Sequence, residues 1–150
     1  MSSEYDSLML ENQLCFPLYA CARKIVNGYN PYLKPMGLTY TQYIVFMVLW
    51  DKKSISVGRL GELLFLDAGT LTPLLKRLEK EGYVTRSRAS EDERITLVRI
   101  TEKGMALKEK CRDIPEKLTG KGFPLSKEEA AELYRLLYKV LKSDKKEERS

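Results

Sequence analysis

Histidine is absent from the 150 residues, and cysteine is scarce and odd in number, with only Cys15, Cys21 and Cys111. Without an imidazole there is no Ser–His or Cys–His nucleophile pair and no His-containing zinc set. Conventional hydrolase chemistry is therefore nearly excluded, and neither a metal nor an organic cofactor is expected. Three cysteines without short spacing give no disulfide framework and point to a reducing compartment. No apolar run approaches the roughly 18–20 residues that a bilayer crossing needs. Met1 to Ser7 is polar and acidic, with no basic segment leading into an apolar one. No signal peptide and no membrane partner are expected, and the cytoplasm is the expected location.

What is present is enough for one domain with a real core, since 43% of residues are apolar and 31% are charged. A net charge of +5 and a pI near 9.0 lean only weakly towards an anionic partner. Between Lys76 and Arg94 six basic residues stand among five acidic ones, a net +1. That segment is no polycation, so contact with a polyanion has to come from placement.

The apolar pattern divides the chain. Leu14, Leu18, Cys21, Ala22, Ile25 and Tyr29 recur at helical spacing within a pattern from about Leu8 to Leu33. Pro17 interrupts it, so the helix either begins near Cys15 or kinks there, and Pro31 and Pro35 mark its end. Thr39 and Gln42 form a capping box ahead of a densely apolar helix ending in a turn at Asp51-Lys52-Lys53. Ser56 caps a short helix over Val57–Leu64, and Asp67 caps another over Ala68–Glu81, closed by Gly82. Propensity alone would start that helix at Pro73. Tyr83–Arg88 and Ile95–Ile100 are rich in β-branched residues and read as a hairpin around the charged turn Ala89–Arg94. Thr101 caps a helix expected over Glu102–Lys117. Gly120, Gly122 and Pro124 form a loop, and Ser126 with Glu129 opens a last helix.

The expected fold is mostly α with a small β-hairpin wing: two short helices with a tight turn, then the hairpin, make a winged helix-turn-helix. In such a motif the second helix enters the major groove of DNA with its N-terminal residues at the bases. Here these are Thr70, Thr72 and Pro73, with Gly69 allowing close backbone approach and Lys76 and Arg77 one turn on to neutralise phosphates. On the wing, Arg86 and Arg88 share one face and Arg94 sits at the tip, suited to a narrow minor groove. Asp92, two residues away, is placed to fix an arginine's direction.

Phe65-Leu66-Asp67-Ala68-Gly69-Thr70-Leu71-Thr72-Pro73-Leu74-Leu75-Lys76-Arg77-Leu78-Glu79 strongly resembles the MarR family of bacterial regulators. Glu91-Asp92-Glu93-Arg94 and Thr101-Glu102-Lys103-Gly104 match the same family's wing and following helix, and the resemblance runs from about Leu10 to Ile114. Asn12-Gln13-Leu14-Cys15-Phe16, Leu18-Tyr19, Tyr29 and Leu38-Thr39-Tyr40-Thr41-Gln42-Tyr43 are most similar to its organic hydroperoxide resistance branch. The resemblance implies a homodimeric repressor of a pseudo-palindromic duplex DNA operator. It also implies a reactive Cys15 whose thiolate is hydrogen-bonded by Tyr29 and Tyr40, with Tyr19 nearby. An organic hydroperoxide oxidises that cysteine and the protein leaves DNA; a small thiol is one continuation. On this reading residues 8–35 and 102–142 form a helical dimerisation region around a DNA-binding region at 39–100, with 143–150 a frayed tail.

Two departures from the family pattern stand out. Ala68 replaces a serine, removing a phosphate contact, and Pro17 replaces an ordinary helix former. No Lys or Arg lies within a turn of Cys15, so its reactivity requires donors such as phenol hydroxyls. Cys15 and Tyr29 are 14 residues apart, about 21 Å along a straight helix, and so meet only if Tyr29 comes from an antiparallel partner helix. Cys21, about 9 Å from Cys15 by the same rise, and Cys111 are read as structural. Two other readings stay open. One is a MarR-type regulator answering a phenolic ligand or a broader redox or virulence cue; the other is a thiol peroxidase, which would need a resolving cysteine.

Overall fold

A computed structural model describes residues 3–120 and 123–143. Seven α-helices and three strands follow one another as α1 (Cys15–Leu33), α2 (Tyr40–Lys52), β1 (Ser54–Ser56), α3 (Val57–Leu64), α4 (Ala68–Lys80), β2 (Val84–Arg88), β3 (Thr96–Ile100), α5 (Glu102–Cys111), α6 (Ile114–Thr119) and α7 (Lys127–Ser143). The loop residue Gly122 and the expected tail beyond Ser143 lie outside the described residues.

The first helix begins at Cys15 rather than near Leu8; two short 3-10 turns, Asp6–Leu8 and Leu10–Asn12, precede it. Pro17 falls in its first turn, where a missing N–H costs nothing. Pro31 is accommodated inside the last turn, and a 3-10 turn over Lys34–Met36 ends at Gly37. The capping box of α2 forms with both halves, the Thr39 side chain accepting from the Gln42 N–H and the Gln42 side chain accepting from the Thr39 N–H. The chain turns at Lys53, so Asp51 and Lys52 belong to the helix and not to the turn.

Helix α3 has the expected bounds with Ser56 as its cap, and α4 starts at Ala68 under the Asp67 cap. Pro73 lies inside α4. Its absent N–H frees the carbonyl of Gly69 one turn earlier, but the cap and the buried Leu71, Leu75 and Leu78 hold the helix through it. Gly82 closes the helix at φ +85°, a conformation open to glycine at no steric cost.

Two further expectations need correction. The wing is part of a three-stranded antiparallel sheet in the order β1-β3-β2, with Ile55 opposite Val98 and Arg86 opposite Val98 on the other side. Ser54-Ile55-Ser56 is too short to carry an alternation signal and owes its extended form to pairing with β3. The helix expected over 102–117 breaks after Cys111, because the ring of Pro115 would strike the Cys111 carbonyl; α6 restarts with that proline in its first turn.

One core joins these elements except α7, which contributes no residue to it. Phe46, Leu49, Leu60, Leu75, Leu78, Val84 and Val98 are fully enclosed, and the Trp50 indole donates to the Gly104 carbonyl at 3.0 Å, tying α2 to α5. Phe65, between α3 and α4, stands out with φ +55° and ψ +41°. An aromatic residue in the left-handed region costs about 1 kcal/mol or more.

Candidate functional site

Five of the DNA-reading candidates line one groove, and the others lie outside its lining. A groove of about 790 Å³ runs between α4 and the wing, with Thr72, Lys76, Arg86, Arg88 and Arg94 among its lining residues. Gly69, Thr70, Pro73, Lys76 and Arg77 lie along the exposed side of α4, opposite the buried Leu71, Leu75 and Leu78. The 3.6-residue period alone produces this division.

Asp67 does its work by capping. Its carboxylate accepts the Thr70 N–H at 2.7 Å, and hydrogen bonding from the Thr70 side chain first, then from that N–H, holds its pKa below the ordinary aspartate value. Ionised, it also sits where the helix field favours negative charge. Arg77 pairs with Glu81 at 3.3 Å on the open surface, an interaction weak enough to yield to a phosphate. Arg88 donates to the Glu93 carbonyl and to Thr96, both at 3.3 Å, and stays exposed. At the wing tip Asp92 grips Arg94 side-on, with Nε and Nη2 each donating at 3.1 Å. The arginine keeps 90% exposure, so its direction is fixed while its charge faces outward; the same contacts lower the Asp92 pKa.

Arg86 behaves differently from the other arginines. Its backbone N–H, Nε and Nη2 all donate to the Glu79 carboxylate, at 2.9, 3.4 and 3.1 Å. Its guanidinium is thus committed to bracing the wing against α4, and the pairing lowers the pKa of Glu79. Glu79 was invisible as a site residue in the sequence, where nothing ties it to a side chain seven positions away in another element.

The expected redox residues divide into two places. Cys15 is exposed at the first position of α1, and Tyr19 is exposed with Arg23 5.5 Å over its ring. Tyr29 and Tyr40 pack 5.0 Å apart between ring centroids at the other end of the helix, joined by Tyr43 at 5.4 Å from Tyr29. Burial raises all three phenol pKa values, Tyr43 to about 12, so each keeps its proton as a hydrogen-bond donor at neutral pH. Within one chain the unbroken α1 keeps Cys15 away from this cluster. Cys111 is buried with its thiol 3.9 Å from the Met36 sulfur, and burial raises its pKa, as suits a structural thiol. Cys21, also read as structural, is exposed on α1. No cluster of ligating side chains is placed to hold a metal among the described residues, and no helix among them is long and apolar enough to cross a membrane.

Residues 28–111 match the family model described as "Transcriptional regulator SarA/Rot". The chain is 44% identical over 146 residues to the organic hydroperoxide resistance transcriptional regulator of Bacillus subtilis, covering 95% of this chain and 97% of that protein. Among solved structures it is similar to reduced AbfR bound to DNA, with 32% identity, TM-score 0.79, and coverage of 93% of this chain and 97% of that one. AbfR, a Staphylococcus epidermidis protein, is also known overoxidised on DNA (TM-score 0.74) and in a disulfide form (0.63). A MarR mutant from E. coli complexed with operator DNA shares 30% identity and a TM-score of 0.75 over 93% of this chain and 99% of its own. With its recognition helix and wing arranged around one groove, the chain belongs to the MarR/SarA family of winged helix-turn-helix proteins and is a DNA-binding transcription regulator, not an enzyme.

Proposed function

We propose that the protein is a homodimeric repressor that senses organic hydroperoxides at Cys15 and then releases its operator. The observation that carries this reading is the separation just described. An exposed thiol begins α1, and two protonated phenols, Tyr29 and Tyr40, lie at the far end of the same helix. Antiparallel pairing of α1 with its copy would bring each thiol to the other chain's phenols. The 44% identity to a hydroperoxide resistance regulator supports the choice of oxidant.

Dimerisation is supported by what the helices leave uncovered. Of nineteen residues in α1 only Leu33 is buried, and none is in α7. Phe16 and Leu18 on one, with Leu14 just before it, and Leu133, Leu137 and Leu141 on the other, are exposed apolar side chains of the kind that mark an interaction surface. Helices α1 and α5–α7 are accordingly assigned to the dimerisation region and residues 39–100 to DNA. A two-fold dimer reads a pseudo-palindrome, its two α4 helices facing major grooves one turn apart. Thr70 and Thr72 would meet base edges or phosphates, Lys76, Arg77 and Arg88 phosphates, and Arg94 the minor groove.

In the sensing step the Cys15 thiolate attacks the terminal oxygen of the hydroperoxide. The S–O bond forms as the O–O bond breaks, and the alkoxide takes a proton, from a phenol or water, to leave as the alcohol. Cysteine is oxidised to sulfenic acid while the peroxide is reduced. With Cys111 buried, a small thiol is the natural next partner. Gel-shift titration of a duplex selected by the reduced protein, with and without stoichiometric cumene hydroperoxide, tests this. The oxidised protein should lose the duplex and the Cys15→Ser variant should hold it. Retention of DNA by the oxidised protein, with phenolic compounds releasing it instead, would transfer the sensing role to a ligand.

A further inference from the structure

The turn between α3 and α4 adopts a conformation that its sequence should resist. Phe65 occupies the left-handed position that ends α3, a place glycine or asparagine takes far more readily. The turn does not need an aromatic ring for its own closure. The N–H groups of Phe65 and Leu66 both donate to the Gly61 carbonyl. Gly61 permits this approach, since a Cβ there would stand 2.6 Å from the Leu66 oxygen. Asp67 then caps α4.

The ring of Phe65 reaches instead to another element. It meets Tyr138 of α7 edge-on, with centroids 6.2 Å apart and planes at 63°. Tyr138 is itself seated against Tyr134 at 4.7 Å, with Lys142 5.5 Å over its ring. Val140 and Leu141 of α7 line the same cleft as Asp67, Ala68 and Leu71 at the start of the recognition helix. A strained backbone that is retained for one side-chain contact marks that contact as the reason for the residue.

We infer that Phe65 is a positioning residue for DNA binding, its ring anchored on Tyr138 so that α7 sets the orientation of the recognition-helix N-terminus. Phe65 lies two residues before the Asp67 cap, and the turn between them is closed by backbone hydrogen bonds. Movement of α7 therefore passes to Gly69 and Thr70 without being absorbed. The residue touches no DNA and acts through α4 alone. Its role holds for the reduced protein, independent of any sensing at Cys15.

The test uses the full-length protein and a duplex that the unmodified protein selects from a random-sequence library. Phe65→Gly relieves the left-handed strain, so the thermal unfolding midpoint should stay level or rise. Affinity for the duplex should nevertheless fall about tenfold, and Phe65→Tyr should recover it. Tyr138→Ala, made on a different element, should lose affinity by a similar factor. Because both remove one contact, the double variant should bind no worse than the weaker single one. Phe65→Gly binding within about twofold of the unmodified protein would overturn the proposal, as would losses that multiply in the double variant. A midpoint that drops in step with affinity would equally overturn it, by making the role structural only.

Discussion

Residues 39–111 and the helices α1 and α7 send their apolar side chains to opposite places. Helix α2 buries Tyr43, Val45, Phe46, Leu49 and Trp50, and α4 buries Leu71, Leu75 and Leu78, all in one core closed by the sheet. Helix α1 is longer than either but buries one residue, and α7 buries none. Residues 39–111 are closed within a single chain, down to their capped helices and braced wing. The outer helices leave apolar side chains uncovered, among them Phe16 and Leu18 on α1 and Leu133, Leu137 and Leu141 on α7. Under the proposed function, operator spacing comes under the control of whatever governs that outer surface, where Cys15 is exposed.

The comparison can be broken most severely on the α7 side. Leu133→Asp combined with Leu137→Asp should give a monomer by sedimentation. Operator affinity should drop at least about 100-fold, because each half-site then binds without the gain from linkage. An unchanged dimer would erase the distinction between the two regions. Within the closed half, Leu75→Ala should cost about 3 kcal/mol of stability, as a cavity in a rigid core does. That cost should appear equally in the monomeric variant. Leu18→Ala should lower stability in the dimer and leave the monomeric variant unaffected, read by thermal unfolding of the four combinations.

The groove itself is sharpened by smaller effects. Arg94→Ala should weaken binding about tenfold and reduce the salt slope by about one unit, while Asp92→Ala should weaken it less and leave the slope alone. Glu79→Gln acts in the other direction on charge. It frees Arg86, so the salt slope should steepen as discrimination between operator and random duplex falls; an unchanged slope would remove the brace from the account. Asp67 gives the mildest effect. Its pKa is lowered in the fold, so the stability its cap contributes is fully present above the ordinary aspartate range and is lost as pH falls through its own lower value. Asp67→Asn should keep a cap while removing that acid limb from the unfolding profile.

The helix-turn-helix was legible because its signals are local. Ser56, Asp67 and Gly82 are end markers that act within three or four residues, and the leucines of α4 repeat with its period. The Asp92–Arg94 pair was legible for the same reason, lying two residues apart. What escaped depends on contacts between elements. Strand β1 exists through its pairing with β3, the Glu79–Arg86 brace spans helix and wing, and Phe65 at a left-handed position looks like an ordinary apolar residue until Tyr138 is seen opposite it. The break before α6 was present in the sequence as Pro115, but the apolar period runs through it and concealed the stop.

The central claim is that the sensing site is made by two chains, with Cys15 of one facing Tyr29 and Tyr40 of the other. Mixed dimers of Cys15→Ser and Tyr29→Phe subunits test it most directly, with thiol oxidation by cumene hydroperoxide followed in the purified heterodimer. If the site is shared, such a dimer holds one intact site, since the remaining Cys15 faces the unaltered Tyr29 of the other chain. That thiol should react at the rate of the unmodified protein, although the Tyr29→Phe homodimer reacts slowly. Reaction at the slow Tyr29→Phe rate in the heterodimer would contradict the account.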